Sequence, residues 1–140
     1  MSTMLLVYLP VKDLATSTRF FADLGFSFDQ EFPVENMKAL VINDASRVVL
    51  VGASQFKADI EANIKKDIAD AATSGEAIVQ LRVDSRQQVD ALVDKALAAG
   101  GQVANPPNER GFLYGRSFQD LDRHLWDVFF VDSAALHARA

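Results

Sequence analysis

The 140-residue chain has no cysteine. That absence excludes disulfides, thiolate nucleophiles and cysteine-ligated zinc or iron–sulfur centres. Histidine is scarce too, with only His124 and His137. No Ser/His/Asp triad, phosphate loop or dinucleotide fingerprint is present. There is no run of like charge, and the net charge is −5. Nucleic acid is therefore not an expected partner, because a phosphate backbone needs a clustered basic face. No window approaches the roughly 20 apolar residues of a membrane span. The apolar stretch at residues 4–9 is too short for a signal peptide. The expectation is a soluble, cytoplasmic protein with no membrane partner. What the chain does have is apolar content, 49% of residues including 10 Phe, enough to build a core.

It also has a repeat. Val11-Lys12-Asp13-Leu14 ends one apolar stretch and opens a helix-like stretch that stops at Gly25. Val83-Asp84-Ser85-Arg86 does the same and stops at Gly100. The openings lie 72 residues apart and the stops 75. Near the ends, Asn43-Asp44-Ala45-Ser46-Arg47 falls on Gln119-Asp120-Leu121-Asp122-Arg123 at an offset of 76, each followed by an apolar run. A unit repeated once implies two modules that pack together, with any site built between them.

Residues 4–11 alternate as a strand, with Leu5, Val7, Leu9 and Val11 on one face and Leu6, Tyr8 and Pro10 on the other. Asp13 is an N-cap, and Leu14, Phe20, Phe21 and Leu24 form a helical stripe. Strands are expected over 26–32, 37–42 and 48–51, the first two joined around Pro33. Module one thus spans 4–52. Residues 53–75 connect the modules as an amphipathic helix with a drifting stripe of Phe56, Ile60, Ile64 and Ile68. Module two spans 76–131. It has a strand over 77–83, a capping-box pair Ser85 and Gln88, and the helical stripe Val89, Leu92, Val93, Ala96 and Leu97. Strands over 102–105, 112–118 and 125–131 follow.

Two β-α-β-β-β modules resemble the vicinal oxygen chelate superfamily, which includes glyoxalase I, extradiol dioxygenases, fosfomycin-resistance enzymes and bleomycin-resistance proteins. The resemblance is carried by Leu9-Pro10-Val11-Lys12-Asp13-Leu14, Phe20-Phe21 and Leu24-Gly25-Phe26. In the second half it is carried by Phe118-Gln119-Asp120-Leu121-Asp122-Arg123-His124-Leu125-Trp126-Asp127. It covers roughly residues 4 to 131. It implies an α+β fold, a single domain in which the paired modules form a cup-shaped mixed sheet.

Metal-dependent members of that superfamily place ligands on the first and last strand of each module. Carried over by motif, these positions are Leu6, Ile78, Val51 (or Leu50) and Asp127. The family's turn glycine is Arg123 here, and its proline is Leu121. Three of the four ligand positions offer no donor atom, and a lone Asp127 is a poor site for a divalent ion. The resemblance therefore supports a cup without a metal or other cofactor.

The same parity turns Tyr8, Gln80, Arg82 and Asp127 toward the cup, together with Leu6 and Ile78. Arg82 either anchors a ligand or pairs with Asp127 across the sheet. Tyr114 and Arg116, on the penultimate strand, are further candidates for holding an anionic ligand. Gly115 between them marks a bend or a close approach. His124 and His137 are read as structural or idle, and Trp126, Val128 and Phe130 as core.

The expected function is a homodimeric, bleomycin-resistance-like protein that binds a small organic molecule. Two alternatives stand beside it: a metal-dependent glyoxalase (a lyase) or dioxygenase-type enzyme, and a dimeric interaction protein without a small ligand. Metal analysis separates the enzyme reading from the other two, and a ligand-induced thermal shift then separates binder from interaction protein. The purified protein is expected to hold no stoichiometric nickel, zinc, iron or manganese, and chelators should leave its Tm unchanged. One tightly bound ion per chain would restore the enzyme reading.

Overall fold

The computed structural model describes residues 3–31 and 35–138. The chain divides between Asp70 and Ala71 into two compact units. Each is built in the same way.

The first unit opens with strand β1 (Leu5–Val11) and helix α1 (Leu14–Asp23). Strands β2 (Met37–Asn43) and β3 (Ser46–Gly52) and helix α2 (Ala53–Ile64) follow. Asp13 caps α1 by accepting the Thr16 N–H at 3.1 Å. The helix stops at Gly25, whose φ of 103° suits glycine alone, and the Phe26 N–H reaches back to the Phe21 carbonyl. The sheet order is β1-β3-β2, with β1 parallel and β2 antiparallel to β3. Leu9 and Val11 bury one face of β1 with Phe20, Phe21 and Leu24 of the helical segment. Each fully buried Phe contributes about 1.5–3 kcal/mol.

The second unit opens with β4 (Ile78–Arg82) and α3 (Arg86–Ala98). Strands β5 (Gln102–Val103), β6 (Asn108–Arg110), β7 (Leu113–Gln119) and β8 (Leu125–Val131) follow, then the short helix α4 (Ser133–Ala138). Ser85 accepts the Gln88 N–H at 3.1 Å, and Gln88 Oε1 accepts the Asp84 N–H at 2.7 Å, which completes a reciprocal cap. Gly100, at φ 111°, repeats the helix stop of Gly25. The order β4-β8-β7-β5 has β4 parallel to β8 and the other pairs antiparallel. Val89, Val93 and Ala96 of α3 are buried, as are Phe118, Trp126 and Val128 of the sheet.

Three expectations need correction. The strand foreseen at residues 26–32 is, among the described residues, a single bridge between Phe28 and Leu40; Phe32 and Pro33 lie outside the described residues. Hydrogen bonds Asp29 N–H to Ala39 O and Val41 N–H to Ser27 O extend the bridge locally. Arg47 holds it from the sheet, with Nε 3.0 Å from Asp29 Oδ2. That guanidinium, followed by the Glu31 N–H, keeps the Asp29 carboxyl below its ordinary range. The connecting helix ends at Ile64 rather than 75, because Lys65 turns left-handed at φ 56° with its N–H on the Glu61 carbonyl. A four-residue period rotates away from one helix face, so Phe56 packs on the sheet while Ile64 stays 56% exposed. Strand β6 and helix α4 were not foreseen.

The third correction concerns the repeat offset. Tyr8 is registered with Val49, and Gln80 with Asp127. Since the caps Asp13 and Ser85 are 72 residues apart, Tyr8 corresponds to Gln80 and Val49 to Asp127, an offset of 78 in the last strand. Ala39 and Ser117, the neighbours of Val49 and Asp127, are separated by the same 78. The offset of 76 matched turn residues of similar chemistry, whereas backbone pairing sets the true equivalence. The counterpart of Asp127 is therefore Val49, not Val51. Leu50 lies on the opposite face.

The turn before β8 is pinned by Asp120, which is 2% exposed. Its carboxylate accepts the N–H groups of Asp122 (2.9 Å) and His124 (3.0 Å) and the indole N–H of Trp126 (3.0 Å). Burial pushes this carboxyl up; His124 and the Trp126 indole oppose the shift. Asp120→Ala should cost about 2–3 kcal/mol, because the buried indole N–H loses its acceptor. Urea unfolding followed by Trp126 fluorescence checks this.

Candidate functional site

In each unit one sheet face is packed by a β-α-β helix, and the other is free for something else. In the first unit that other face carries Leu6, Tyr8, Met37, Ala39, Arg47, Val49 and Val51. Phe56 of α2, Leu6 and Met37 pack there on the buried cluster of Ala39, Val49 and Val51. Apart from Arg47, which pairs with Asp29, and the half-exposed Tyr8, this face is apolar and is packed from within its own unit.

In the second unit the corresponding face carries Ile78, Gln80 and Arg82 from β4, Leu125, Asp127 and Phe129 from β8, and Gly115, Ser117 and Gln119 from β7. One row across three strands reads Gln80, Asp127, Ser117. Gln80 Nε2 donates to Asp127 Oδ2 at 2.9 Å, which fixes the carboxylate. Asp127 Oδ1 has no partner among the described residues. Ser117 Oγ accepts the Asn105 N–H at 3.1 Å, which leaves the hydroxyl hydrogen uncommitted. A cleft of about 150 Å³ opens here, lined by Ile78, Leu125, Gly115, Arg116, Ser117 and Asp127 together with Asn105, Pro106 and Asn108. A Cβ on Gly115 would stand 3.8 Å from Asp127 Oδ1 and 3.4 Å from Phe129 Cβ, so the missing side chain keeps the floor open.

Arg82 occupies the same face one row further on, exposed and with no ion pair to Asp127. Gln80 has taken the place that the ion-pair reading gave to Arg82. Tyr114 and Arg116 point the other way, toward α3. The Tyr114 hydroxyl donates to Asp90 Oδ1 at 2.6 Å. Arg116 Nη1 contacts Asp90 Oδ1 at 3.0 Å and Asp94 Oδ1 at 2.9 Å. Arg86 lies 4.1 Å from the Tyr114 ring centroid and pairs with Glu109. These two residues thus tie sheet to helix, and the structure does not bring their side chains together with Gln80 and Asp127. The Tyr114 hydroxyl, then Arg116, keeps the Asp90 carboxyl below its ordinary range. That contribution to stability is present above the ordinary carboxylate value and is lost as pH falls through the lowered one. The Tyr114 hydroxyl is raised, first by its bond to Asp90 and then by burial, so its contribution is present below the ordinary tyrosine value and is lost as pH rises through the raised one.

Ser117, Asn105 and the floor position of Gly115 escaped the sequence reading because the parity of the penultimate strand was not fixed by its pattern. The five residues between Gln119 and Leu125 would have fixed it, had their closing pair been known. A larger recess of about 370 Å³, lined by Arg110, Gly111, Phe112 and Ala135, has one cation and no comparable row of polar groups.

A sequence model of the Glyoxalase/Bleomycin resistance protein/Dioxygenase superfamily matches residues 3–128. The chain belongs to that superfamily. Solved structures agree with the fold of the superfamily. A hypothetical protein, SA1046, from S. aureus is 27% identical with a TM-score of 0.75, covering 93% of this chain and 95% of that one. A glyoxalase/bleomycin resistance protein/dioxygenase family enzyme from Burkholderia phytofirmans PsJN has the same TM-score at 18% identity, covering 93% and 99%. The fosfomycin resistance protein FosX from Mesorhizobium loti has a TM-score of 0.61 at 15% identity, covering 93% and 90%. No match is found among curated proteins. Among the described residues no helix is long and apolar enough to cross a membrane.

The superfamily's metal does not fit the side chains present. Leu6, Val49, Val51 and Ile78 are hydrocarbons, and among the described residues no three His, Cys, Asp or Glu side chains converge as a metal site. Arg82→Met should change stability by less than about 0.5 kcal/mol, as for an exposed side chain without a partner. Combined with Asp127→Asn it should be additive in denaturant titrations, whereas a large coupling would reinstate an ion pair.

Proposed function

We propose that the protein binds a small organic molecule on the open sheet face of its second unit, without a metal and without a covalent step. One observation carries this. The same repeat position is Val49 beside Ala39 in one unit and Asp127 beside Ser117 in the other. The first face is closed by Phe56, so the fold itself does not require polar groups there. Gln80, Asp127 and Ser117 are an addition to the fold: Asp127 and Ser117 line a cleft with Ile78 and Leu125 as apolar walls, and Gln80 holds Asp127 from the neighbouring strand. Apolar walls with a few convergent polar groups are the usual make-up of a ligand site. At about 150 Å³ the cleft takes one end of a ligand rather than a whole drug-sized molecule. Arg82, on the same face, remains in the proposed binding set. A fragment panel followed by amide NMR is the test. Hits should cluster on the amides of Ile78, Gly115, Ser117 and Asp127. A panel without hits there would remove the reading and favour an interaction protein.

We further propose that the protein works as a homodimer. Strands β1 and β4 are each at the edge of their sheets, and Leu5 is 61% and Ile78 60% exposed. Apolar edge strands are templates for pairing with another chain, and a second copy under twofold symmetry covers them at the lowest cost in design. Light scattering should give twice the chain mass of 15.3 kDa at micromolar concentration. A mass near that of one chain would count against the dimer.

A further inference from the structure

The one full charge in the Gln80–Asp127–Ser117 row is the Asp127 carboxylate; Ser117 keeps its hydroxyl hydrogen and Gln80 a second amide hydrogen. Gln80 turns its NH2 toward Asp127 Oδ2, at 2.9 Å, as it must, since an amide oxygen there would meet a carboxylate oxygen. Its own Oε1 is thereby left as an acceptor. Asp127 Oδ1 is a second acceptor without a partner among the described residues. Ser117 Oγ has one lone pair engaged by the Asn105 N–H and another free. Adjacent strands lie about 4.8 Å apart, so Asp127 and Ser117 are neighbours in the cleft, while Gln80 on the next strand holds the carboxylate. From these observations we infer that the group read by this cleft is a primary ammonium on a short hydrocarbon chain. The inference rests on the second unit's open face being the ligand site.

An ammonium brings a full positive charge and three donors, for which the Asp127 carboxylate and Ser117 Oγ are acceptors in the cleft. An anionic head would face the Asp127 carboxylate. A neutral hydroxyl could donate to Asp127 and accept from Ser117, but it brings no charge to the carboxylate. The hydrocarbon chain finds Ile78 and Leu125, in the next row of the same face. Two cations need to be weighed against this. Arg116 borders the cleft, but its guanidinium is neutralised on the far side by Asp90 and Asp94. Arg82 shares the face, two residues along β4 from Gln80, which is about 7 Å of strand. It is exposed, so its repulsion of a bound cation is weakened by the high dielectric of water.

The experiment titrates the full-length protein with n-propylammonium, 1-propanol and propionate at neutral pH and constant ionic strength, following the amides of Gly115, Ser117 and Asp127 by NMR. Propylammonium should move these amides saturably and bind about tenfold or more tightly than the other two, as a charge-assisted hydrogen bond implies. Asp127→Asn should bring it down to the level of propanol. Gly115→Val fills the floor while leaving Asp127 in place, and it should abolish the response. Its retained amide spectrum elsewhere would show that the fold persists. Propionate or propanol binding as tightly as propylammonium would overturn the ammonium assignment and leave the cleft standing as a ligand site. Propylammonium binding that survives Gly115→Val would overturn it as well. Silence of all three amides with every probe overturns it too, and the fragment panel then decides whether the site reading falls with it.

Discussion

The parallel pairing of β4 with β8 depends on where β8 begins, and a buried carboxylate sets that point. Asp120 collects two backbone N–H groups from its own turn and the indole N–H of the strand that follows. A buried acceptor satisfied three times fixes the turn in one conformation, since each lost bond would expose a buried donor without a partner. From that turn Trp126 points into the core, stacked on Phe118 with ring centroids 6.1 Å apart. Asp127, one residue on, is committed to the opposite face. A slip of one residue would bury Asp127 and expose Trp126, so the register is protected by the hydrophobic term as well. Everything described about the second face follows from this placement.

The two units show one scaffold used for two purposes. Both cap their first helix with a short oxygen side chain, stop it at a left-handed glycine, and pair their first strand in parallel with the last. They differ in what stands on the second face. In the first unit a segment downstream of the sheet lays Phe56 over Val49 and Val51, and the face becomes core. In the second the segment after the last strand forms α4, and the row at Asp127 keeps polar groups and a missing side chain at Gly115. Closing one face and leaving the other open gives a small chain enough core while a polar cleft survives.

Much of this was legible in the sequence because the period-two pattern is strict where one face meets a helix. The parity of β1 and β4, the caps at Asp13 and Ser85, the stops at Gly25 and Gly100, and the core role of Trp126 and Val128 all follow from pattern and local chemistry. The pairing of Gln80 with Asp127 was half visible, since both were placed on one face but Arg82 was given the partner's role. Long side chains compete for a carboxylate through geometry that sequence does not hold. Strand β7 was harder. Tyr114, Gly115, Arg116 and Ser117 include no alternation of apolar and polar residues, because both of its faces carry polar groups for different reasons. One set ties to α3 and the other lines the cleft. The repeat offset failed for a related reason: similar residues in two turns were aligned by type, while the sheet counts residues by hydrogen bond.

Arg123 adds a consequence for how such a chain can change. It sits at φ 70°, in the left-handed region that glycine occupies without penalty, and its N–H is held by the Asp120 carbonyl. An ordinary side chain in that conformation gives up about 1 kcal/mol, which the surrounding hydrogen bonds absorb. The turn is thus a store of unrealised stability, one substitution away from release. A protein that acquires costly polar residues on an open sheet face draws on such stores, because function and folding share the same narrow margin. In this chain the margin for altering the polar row lies four residues upstream of Asp127, in a turn outside the cleft lining.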